Sequence, residues 1–335
     1  MKPSSPTEDA SGIDVSVIVV NWNTRDLLRG CLQSLRVVKS DFGLEVIVID
    51  NASEDGSQEM VAGEFPDVRL IRNDGNRGFA AANNQGLKLA RGRHALLLNS
   101  DAVLMPGALE RVVDAADSDP KLGMVGCRVL NPDGSLQISC MRFPDFRGLL
   151  ASALFLPRLF PRGRGLGYED LTWWNHDDDR DVEVLKGCFI LVRAEAMREV
   201  GLLDERFWLY GEETDWCRRM WNHGWRVRFV HGGEIIHHGG ASTSQTSGRS
   251  LQQLWGAKLQ FIAKHRNPMQ LLLCRAAVAL WFGLRILPAL AAAVVDRSRS
   301  EFHLRRAEAC AAGLFKVVFL GAGSLVRKVE IPDQA

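Results

Sequence analysis

The chain carries almost no net charge: 41 Lys and Arg stand against 40 Asp and Glu in 335 residues. That balance excludes a nucleic-acid binder working through bulk electrostatics. There is no C-x-x-C pair. Seven cysteines (Cys31, Cys127, Cys140, Cys188, Cys217, Cys274 and Cys310) are odd in number and irregularly spaced, so they read as buried, reduced thiols in a cytosolic compartment. Residues 1–14 lack an apolar run and contain two prolines. They read as a disordered tail and not as a signal peptide. Both common phosphate loops are missing, G-x-G-x-x-G after the first strand and G-x-x-x-x-G-K-[ST] anywhere. A dinucleotide hydride-transfer enzyme and a P-loop ATPase both lose ground.

What is present is an alternation of short apolar runs and amphipathic stretches. Val15–Val20, Leu44–Ile49, Val68–Ile71 and His94–Leu98 are predicted strands. Helical spacing follows three of them: Leu27, Leu28, Cys31, Leu32 and Leu35 after an Asn23 or Thr24 cap; a segment to about Glu64; and Ala80–Ala90. Strands alternating with helices imply βαβ units and a parallel sheet buried on both faces. Asn21, Asp50, Asn99 and Asp101 fall at carboxyl ends of strands, where an open α/β sheet binds ligands. Further on, the pattern predicts a helix over Gly107–Ala116, strands over Gly123–Leu130 and Ser135–Arg142, and a long loop with short helices from Phe143 to Asp181. Next come a strand over Lys186–Val192, short helices over Ala194–Val200 and Asp215–His223, and strands over Trp225–Val230 and Glu234–His237.

Leu271–Val295 has only Arg275 and Arg285 charged. Length would let such a helix cross a bilayer, but two mid-span arginines cost roughly 2.5 to 3.5 kcal/mol each. A helix lying in the membrane interface, arginines toward headgroups and kinked at Pro288, fits better. Basic flanks (Lys264–Arg266; Arg297, Arg299, Arg305, Arg306) suit anionic lipid. The competing reading is a helical pair packed on the domain before it or on a second copy.

Five motifs recur in order: Asp50-Asn51-Ala52-Ser53, Asn76-Arg77-Gly78-Phe79-Ala80, Asn99-Ser100-Asp101, Gly211-Glu212-Glu213-Thr214-Asp215 and His237-His238-Gly239-Gly240. With these spacings, residues 15 to about 245 resemble the family 2 glycosyltransferases, most closely their rhamnosyltransferase branch. The resemblance implies an α/β fold of GT-A type, with a mostly parallel, Rossmann-like sheet. Residues 15–250 would form the transferase domain (15–101 nucleotide-sugar half, 102–250 acceptor and catalytic half), and 251–335 a helical membrane-surface segment.

It further implies an inverting, Mg²⁺- or Mn²⁺-dependent sugar transfer from a nucleotide diphosphate sugar to a lipid-linked or polysaccharide acceptor in cell-surface glycan synthesis. The enzyme would sit peripherally on the cytoplasmic face of the membrane. Branch resemblance favours dTDP-rhamnose as donor, with UDP- and GDP-sugars open. The opening motif matches the family's D-x-D with Asn99 in place of the first Asp. Asp101 is then the metal ligand, His237 its partner, and Asn99 a contact to ribose or metal-bound water beside Ser100. Asp50, Asn21 and Asn23 would read base or ribose. Asn76 and Arg77 lie on a loop that either reaches phosphate or is solvated, and Asn83 or Asn84 either faces donor or water. Asp55 either touches ligand or caps its turn. Glu212-Glu213 matches the acidic pair, Glu213 being the expected base and Asp215 the alternative; Trp208 is the candidate for stacking on a sugar. Two other readings compete: a sugar-phosphate nucleotidyltransferase, which would need a Gly-rich, Arg-containing loop where Asn21-Trp22-Asn23-Thr24 stands, and a non-catalytic membrane scaffold on the same fold.

Overall fold

The apolar runs become β1 (Val15–Asn21), β2 (Leu44–Asp50), β3 (Arg69–Arg72) and β4 (His94–Asn99), mutually parallel in the spatial order β3-β2-β1-β4. The computed structural model describes residues 12–37, 43–164, 169–239 and 247–326. Gly240 and most of the expected N-terminal tail lie outside the described residues. The sheet continues past β4 in mixed sense. The remaining strands of the chain are β5 (Ala102–Leu104), β6 (Leu122–Leu130), β7 (Leu136–Gln137), β8 (Cys140–Met141), β9 (Arg180–Asp181), β10 (Val184–Leu185), β11 (Phe189–Arg193) and β12 (Arg226–His237). β11 runs antiparallel to β4 and β6, β12 parallel to β6, and β5 antiparallel to β12. The sheet is therefore mixed but mostly parallel in its first half.

Helices α1 (Arg25–Val37), α2 (Ser57–Glu64), α3 (Phe79–Leu87) and α4 (Ala108–Ser118) connect the early strands. They are followed by α5 (Phe146–Ala153), α6 (Leu156–Leu159), α7 (Ala194–Val200), α8 (Glu212–Asn222), α9 (Ser247–His265), α10 (Pro268–Val295) and α11 (Ser300–Phe315). Side chains alternate across a strand, so β1 divides its residues between two cores. Val17 and Val19 pack with Leu28, Met60 and Leu109 of α1, α2 and α4. Ile18 packs with Ala80, Trp216 and Phe261 of α3, α8 and α9. Each such fully buried aliphatic chain contributes about 1.5–3 kcal/mol.

Four expectations are corrected. Ser135–Arg142 is not one strand: β7 pairs with β6, while β8 leaves for a small second sheet with β10. Trp225–Val230 and Glu234–His237 are one strand, β12, interrupted by a register shift between Phe229 and Glu234. The helix expected from Asp215 begins at Glu212, which puts the acidic pair in its first turn. Arg275 and Arg285 do not face outward. Arg275 Nη2 donates to the Val317 carbonyl at 2.8 Å, and Arg285 Nη2 to the Ser152 carbonyl at 2.8 Å. Both guanidiniums satisfy helix-end carbonyls that water would otherwise have to reach. α10 runs on through Pro288 for 28 residues.

The packing shows no break at residues 250 and 251. Trp255, Leu259, Phe261 and Ile262 of α9 share one buried cluster with the sheet, as do Trp281 and Phe282 of α10. The competing reading of the C-terminal helices is thus met on their inner faces. All seven cysteines are buried thiols with no disulfide.

Candidate functional site

Strand register brings the metal-type residues together. β4 ends at Asn99, and Ser100-Asp101 turns the chain into β5. The antiparallel pairing of β12 with β5 sets His237 opposite Ala102, and the His238 N–H donates to the Asp101 carbonyl at 3.0 Å. As a result His237 Nε2 stands 3.1 Å from Asp101 Oδ1 and 3.1 Å from Asn99 Nδ2. Asp101 is largely buried, which raises its carboxyl, but the hydrogen bond and charge of His237 outweigh that and hold it below the usual carboxylate range. Ser100 is turned away: its hydroxyl is 2.9 Å from that of Thr24.

Gln137, which the sequence did not single out, orients the imidazole. Its Nε2 donates to Asn131 Oδ1 at 2.7 Å and to the His237 carbonyl at 3.2 Å, which leaves Oε1 to face His237 Nδ1 at 2.6 Å. Nδ1 therefore donates to Gln137, and Nε2 is aimed at Asp101 and Asn99. An imidazole nitrogen and a carboxylate oxygen converging at one point suit a divalent cation. Among the described residues no group of three His, Cys, Asp or Glu could cage a metal. The pair fits an ion whose remaining positions are filled by substrate oxygens and water.

The edge over β1 and β2 is laced with amides. Asn21 Nδ2 donates to Asp50 Oδ2 at 2.8 Å and to Ser53 Oγ at 3.0 Å, and its Oδ1 accepts from Thr24 at 2.7 Å. Asp50 Oδ1 accepts from the Ser53 N–H at 2.9 Å and from Gln58 Nε2 at 2.7 Å. Both side chains are buried and are spent on the loop after β2; neither faces outward as the donor-contact reading expects. Asn23 adopts φ 53° and accepts from the Glu54 N–H at 2.8 Å. Asp55 resolves to the turn reading: it accepts from the Ser57 and Arg25 N–H groups. Asn51, Asn73 and Gln85, also missed, carry the lacing to the next loop. Asn76 accepts from the Gly78 N–H at 2.9 Å. Arg77 is exposed and has no ion pair among the described residues. Asn83 and Asn84 are corrected: neither faces water, and both are buried in α3. Asn83 donates to the Phe79 carbonyl, Asn84 to the Leu203 carbonyl and to Glu205.

The acidic pair is delivered by two consecutive left-handed residues, Tyr210 (φ 66°) and Gly211 (φ 86°), which turn the chain into α8. Tyr210 is strained there, whereas Gly211 is not. Glu212 is 3 % exposed and its Oε2 has no partner. Burial, then the charge of Glu213, pushes its carboxyl well up. Burial also raises Glu213, against backbone N–H groups and the more distant Lys186. Both carboxyls are raised, Glu212 the more strongly, so the pair resists carrying two charges at once.

The Glu213 side chain lies beside Gly187: a Cβ there would sit 3.9 Å from Glu213 Cβ and 3.5 Å from the Phe79 ring. The next residue, Cys188, accepts from the Asn99 N–H at 3.1 Å. The strand entry 187–188 thus joins the Asn99/Asp101/His237 cluster to the half-buried Glu213 carboxylate. Trp208 closes the other side. Its carbonyl accepts from the Phe79 N–H at 2.7 Å and its indole covers Gly78, where any Cβ would collide. Asp215 is corrected as a base. It is fully buried, and Lys264 (2.6 Å), His265 (2.7 Å) and Arg219 (2.8 Å) occupy both its oxygens.

A model of glycosyl transferase family 2 matches residues 16–166. A Mycobacterium tuberculosis protein described as N-acetylglucosaminyl-diphospho-decaprenol L-rhamnosyltransferase is 30% identical over 244 residues, 68% of this chain and 77% of that one. Among solved structures, a mannosyltransferase from Pyrobaculum calidifontis in complex with GDP-Man and Mn²⁺ superposes with TM-score 0.53 at 18% identity, covering 92% of this chain and 88% of the other. GalNAc-T7 with UDP, GalNAc and Mn²⁺ gives TM-score 0.53 at 15% identity over 76% of this chain and 48% of its own. At those identities the two structures establish a GT-A fold.

Proposed function

The chain belongs to the family 2 glycosyltransferases, on their rhamnosyltransferase-like side, and from that premise we propose an inverting, divalent-metal-dependent transfer of a sugar from a nucleotide diphosphate sugar to a lipid-linked acceptor. One observation carries this reading: the strand entry 187–188 links Asp101 and His237 to the half-buried Glu213 carboxylate. Asp101 and His237 would hold Mg²⁺ or Mn²⁺. The ion supplies Lewis acidity to the diphosphate, easing departure of the nucleoside diphosphate. Glu213 takes the proton of the acceptor hydroxyl as its oxygen bonds to the anomeric carbon. The bond from that carbon to the diphosphate breaks on the opposite side, and the electron pair leaves with the nucleotide, so configuration inverts. Glu212, whose carboxyl is pushed well up beside Glu213, favours a single charge on the pair. Arg77, exposed on the β3–α3 loop that Asn76 braces, would meet phosphate, while Asn21, Asp50, Asn23, Ser100 and Asn83 would shape the donor edge from behind.

The family assignment removes the nucleotidyltransferase and scaffold readings. dTDP-rhamnose is the favoured donor, and the decaprenyl-linked acceptor named for the mycobacterial relative supports a lipid-linked one here. The enzyme would work in cell-surface glycan synthesis from the cytoplasmic membrane face, with α10 on the lipid surface. α10 is long and apolar enough to cross a membrane by length and composition. Its half-buried arginines, bonded to neighbouring carbonyls, and its packing against the domain support the in-plane reading instead.

Asp101→Ala tests the metal assignment. Metal-dependent hydrolysis of the donor, and transfer, should both fall by at least about 10²-fold, as loss of an interaction worth several kcal/mol requires. Retention of both activities would mean that the metal is held elsewhere. Gln137→Leu should weaken Mn²⁺ binding, read by the free-ion EPR signal, about 10–100-fold. Gln137→Glu keeps an acceptor for Nδ1 and should bind within a few-fold of wild type.

A further inference from the structure

Residues 154–164 form an arm between α5 and the strands of the acceptor half that the mechanism does not use. Its sequence is Leu-Phe-Leu-Pro-Arg-Leu-Phe-Pro-Arg-Gly-Arg, with three cations and no acid. Leu159 and Phe160 are exposed at 65% and 56%, and Leu154 at 43%. Water exacts a cost for such a patch unless something covers it. The arm is not a loose loop. Phe155 turns the chain with φ 59°, and its ring lies against the Arg285 guanidinium at 4.0 Å, with Trp281 on the same guanidinium at 4.0 Å. Arg285 also bonds the Ser152 and Ala153 carbonyls at the end of α5, and Trp281 Nε1 donates to Ser152 Oγ at 3.2 Å. This contact fixes the arm beside the middle of α10. There the outer face of α10 is itself apolar and uncovered, with Leu280, Leu284, Leu287 and Val294 all exposed. The Arg285 guanidinium, which holds the Phe155 ring of the arm, ties the arm to the helix that bears this second patch.

We propose that the arm is a second membrane-contacting element, and that it and α10 together lay the catalytic domain on an anionic phospholipid surface. Leu159 and Phe160 enter the acyl boundary, and Arg158 and Arg162 meet lipid phosphates. Charge decides the occupant. A second copy docked by a two-fold axis would face these cations with like charge, whereas an anionic leaflet complements them. Apolar and aromatic side chains edged by arginine are the composition of an interfacial element. The consequence is orientation: α10 alone leaves the domain free to roll about the helix axis, and a second contact off that axis stops the roll and presents the cleft to a lipid-linked acceptor. The inference rests on the lipid-surface reading of α10 given above.

The test uses the full-length chain and sedimentation with vesicles of phosphatidylcholine alone or with added phosphatidylglycerol. Wild type should bind both and prefer the anionic vesicles. Leu159→Ser/Phe160→Ser, at exposed positions, should lower partitioning at least about tenfold, the effect of removing two inserted side chains. Arg158→Glu/Arg162→Glu should abolish the anionic preference and its salt sensitivity. Both variants should keep metal-dependent donor hydrolysis and lose transfer to an acceptor embedded in vesicles. If wild type binds vesicles and both variants bind equally well, the arm does not touch the membrane. If wild type itself fails to bind, the α10 reading falls and takes this one with it. If the Leu159/Phe160 variant instead converts a dimer to a monomer in light scattering with vesicle binding unchanged, the face is an interface between copies and the proposal is overturned.

Discussion

Glu213→Gln should lower kcat by about 10²–10⁴-fold, the usual contribution of a positioned general base, while donor binding followed by thermal stabilisation with metal stays near wild type. The amide has the carboxylate's shape but cannot take a proton. Glu212→Gln provides the contrast. That carboxyl is buried, lacks a partner on Oε2 and is pushed well up, so a neutral amide of the same shape should leave kcat within about tenfold of wild type. The pH profile supplies a second readout. Burial raises Glu213 above the ordinary glutamate value of about 4.3. The working form is the carboxylate, so the rate falls as pH drops through that raised pKa. The acid limb of kcat should therefore stand above about 4.3. An unchanged kcat in Glu213→Gln would remove it as the base.

Asp215→Ala should act on stability instead of chemistry. The carboxylate is fully buried and joins α8 to α9 through Lys264, His265 and Arg219. Lys264 also bonds Asp204 at 2.6 Å, so the cluster ties the acceptor half to the C-terminal helices. Removing one partner of a buried ion pair costs about 3–5 kcal/mol, because the cations remain without compensation. The urea midpoint should fall accordingly, at unchanged slope. The folded fraction should keep kcat within about tenfold, whereas loss of a catalytic base would exceed that. Linkage gives the pH window. Burial raises Asp215, but His265, Lys264 and Arg219 outweigh it and hold it below its unfolded value. Its contribution is present above the unfolded pKa of about 3.9 and is lost as pH falls through the lower folded value. Stability should therefore drop in acid, and Asp215→Ala should flatten part of that drop.

These two variants mark the division between what was legible in the residues and what was not. Glu213 and Asp215 lie two positions apart in one acidic motif, and sequence could rank them only by their place in that motif. Packing separates them. Glu213 falls beside Gly187 near the metal-type cluster, whereas Asp215 falls against α9, whose basic residues arrive fifty positions later in the chain. The same holds at the donor edge. Asn21, Asp50 and Asn83 were readable as polar residues at the ends or starts of elements, but their amides and carboxylate turn inward to hold loops. Gln137 was invisible, because nothing local distinguishes a glutamine that orients a distant imidazole from a solvated one.

By itself the sequence determined the four parallel strands, the helices between them, the carboxyl-edge placement of Asn99 and Asp101, and the family, since strand and helix periods and ordered motifs are local properties of the chain. The mixed sense of the sheet beyond β4, the inward course of Arg275 and Arg285, and the roles left to Asp215 and Gln137 were settled by tertiary contacts alone. Those depend on register between distant strands and on which buried charges meet. The 3.1 Å approach of His237 to Asp101 is of that kind: it follows from the pairing of β12 with β5, a contact 135 positions apart in its closest register (His237 with Ala102), and no local pattern encodes it.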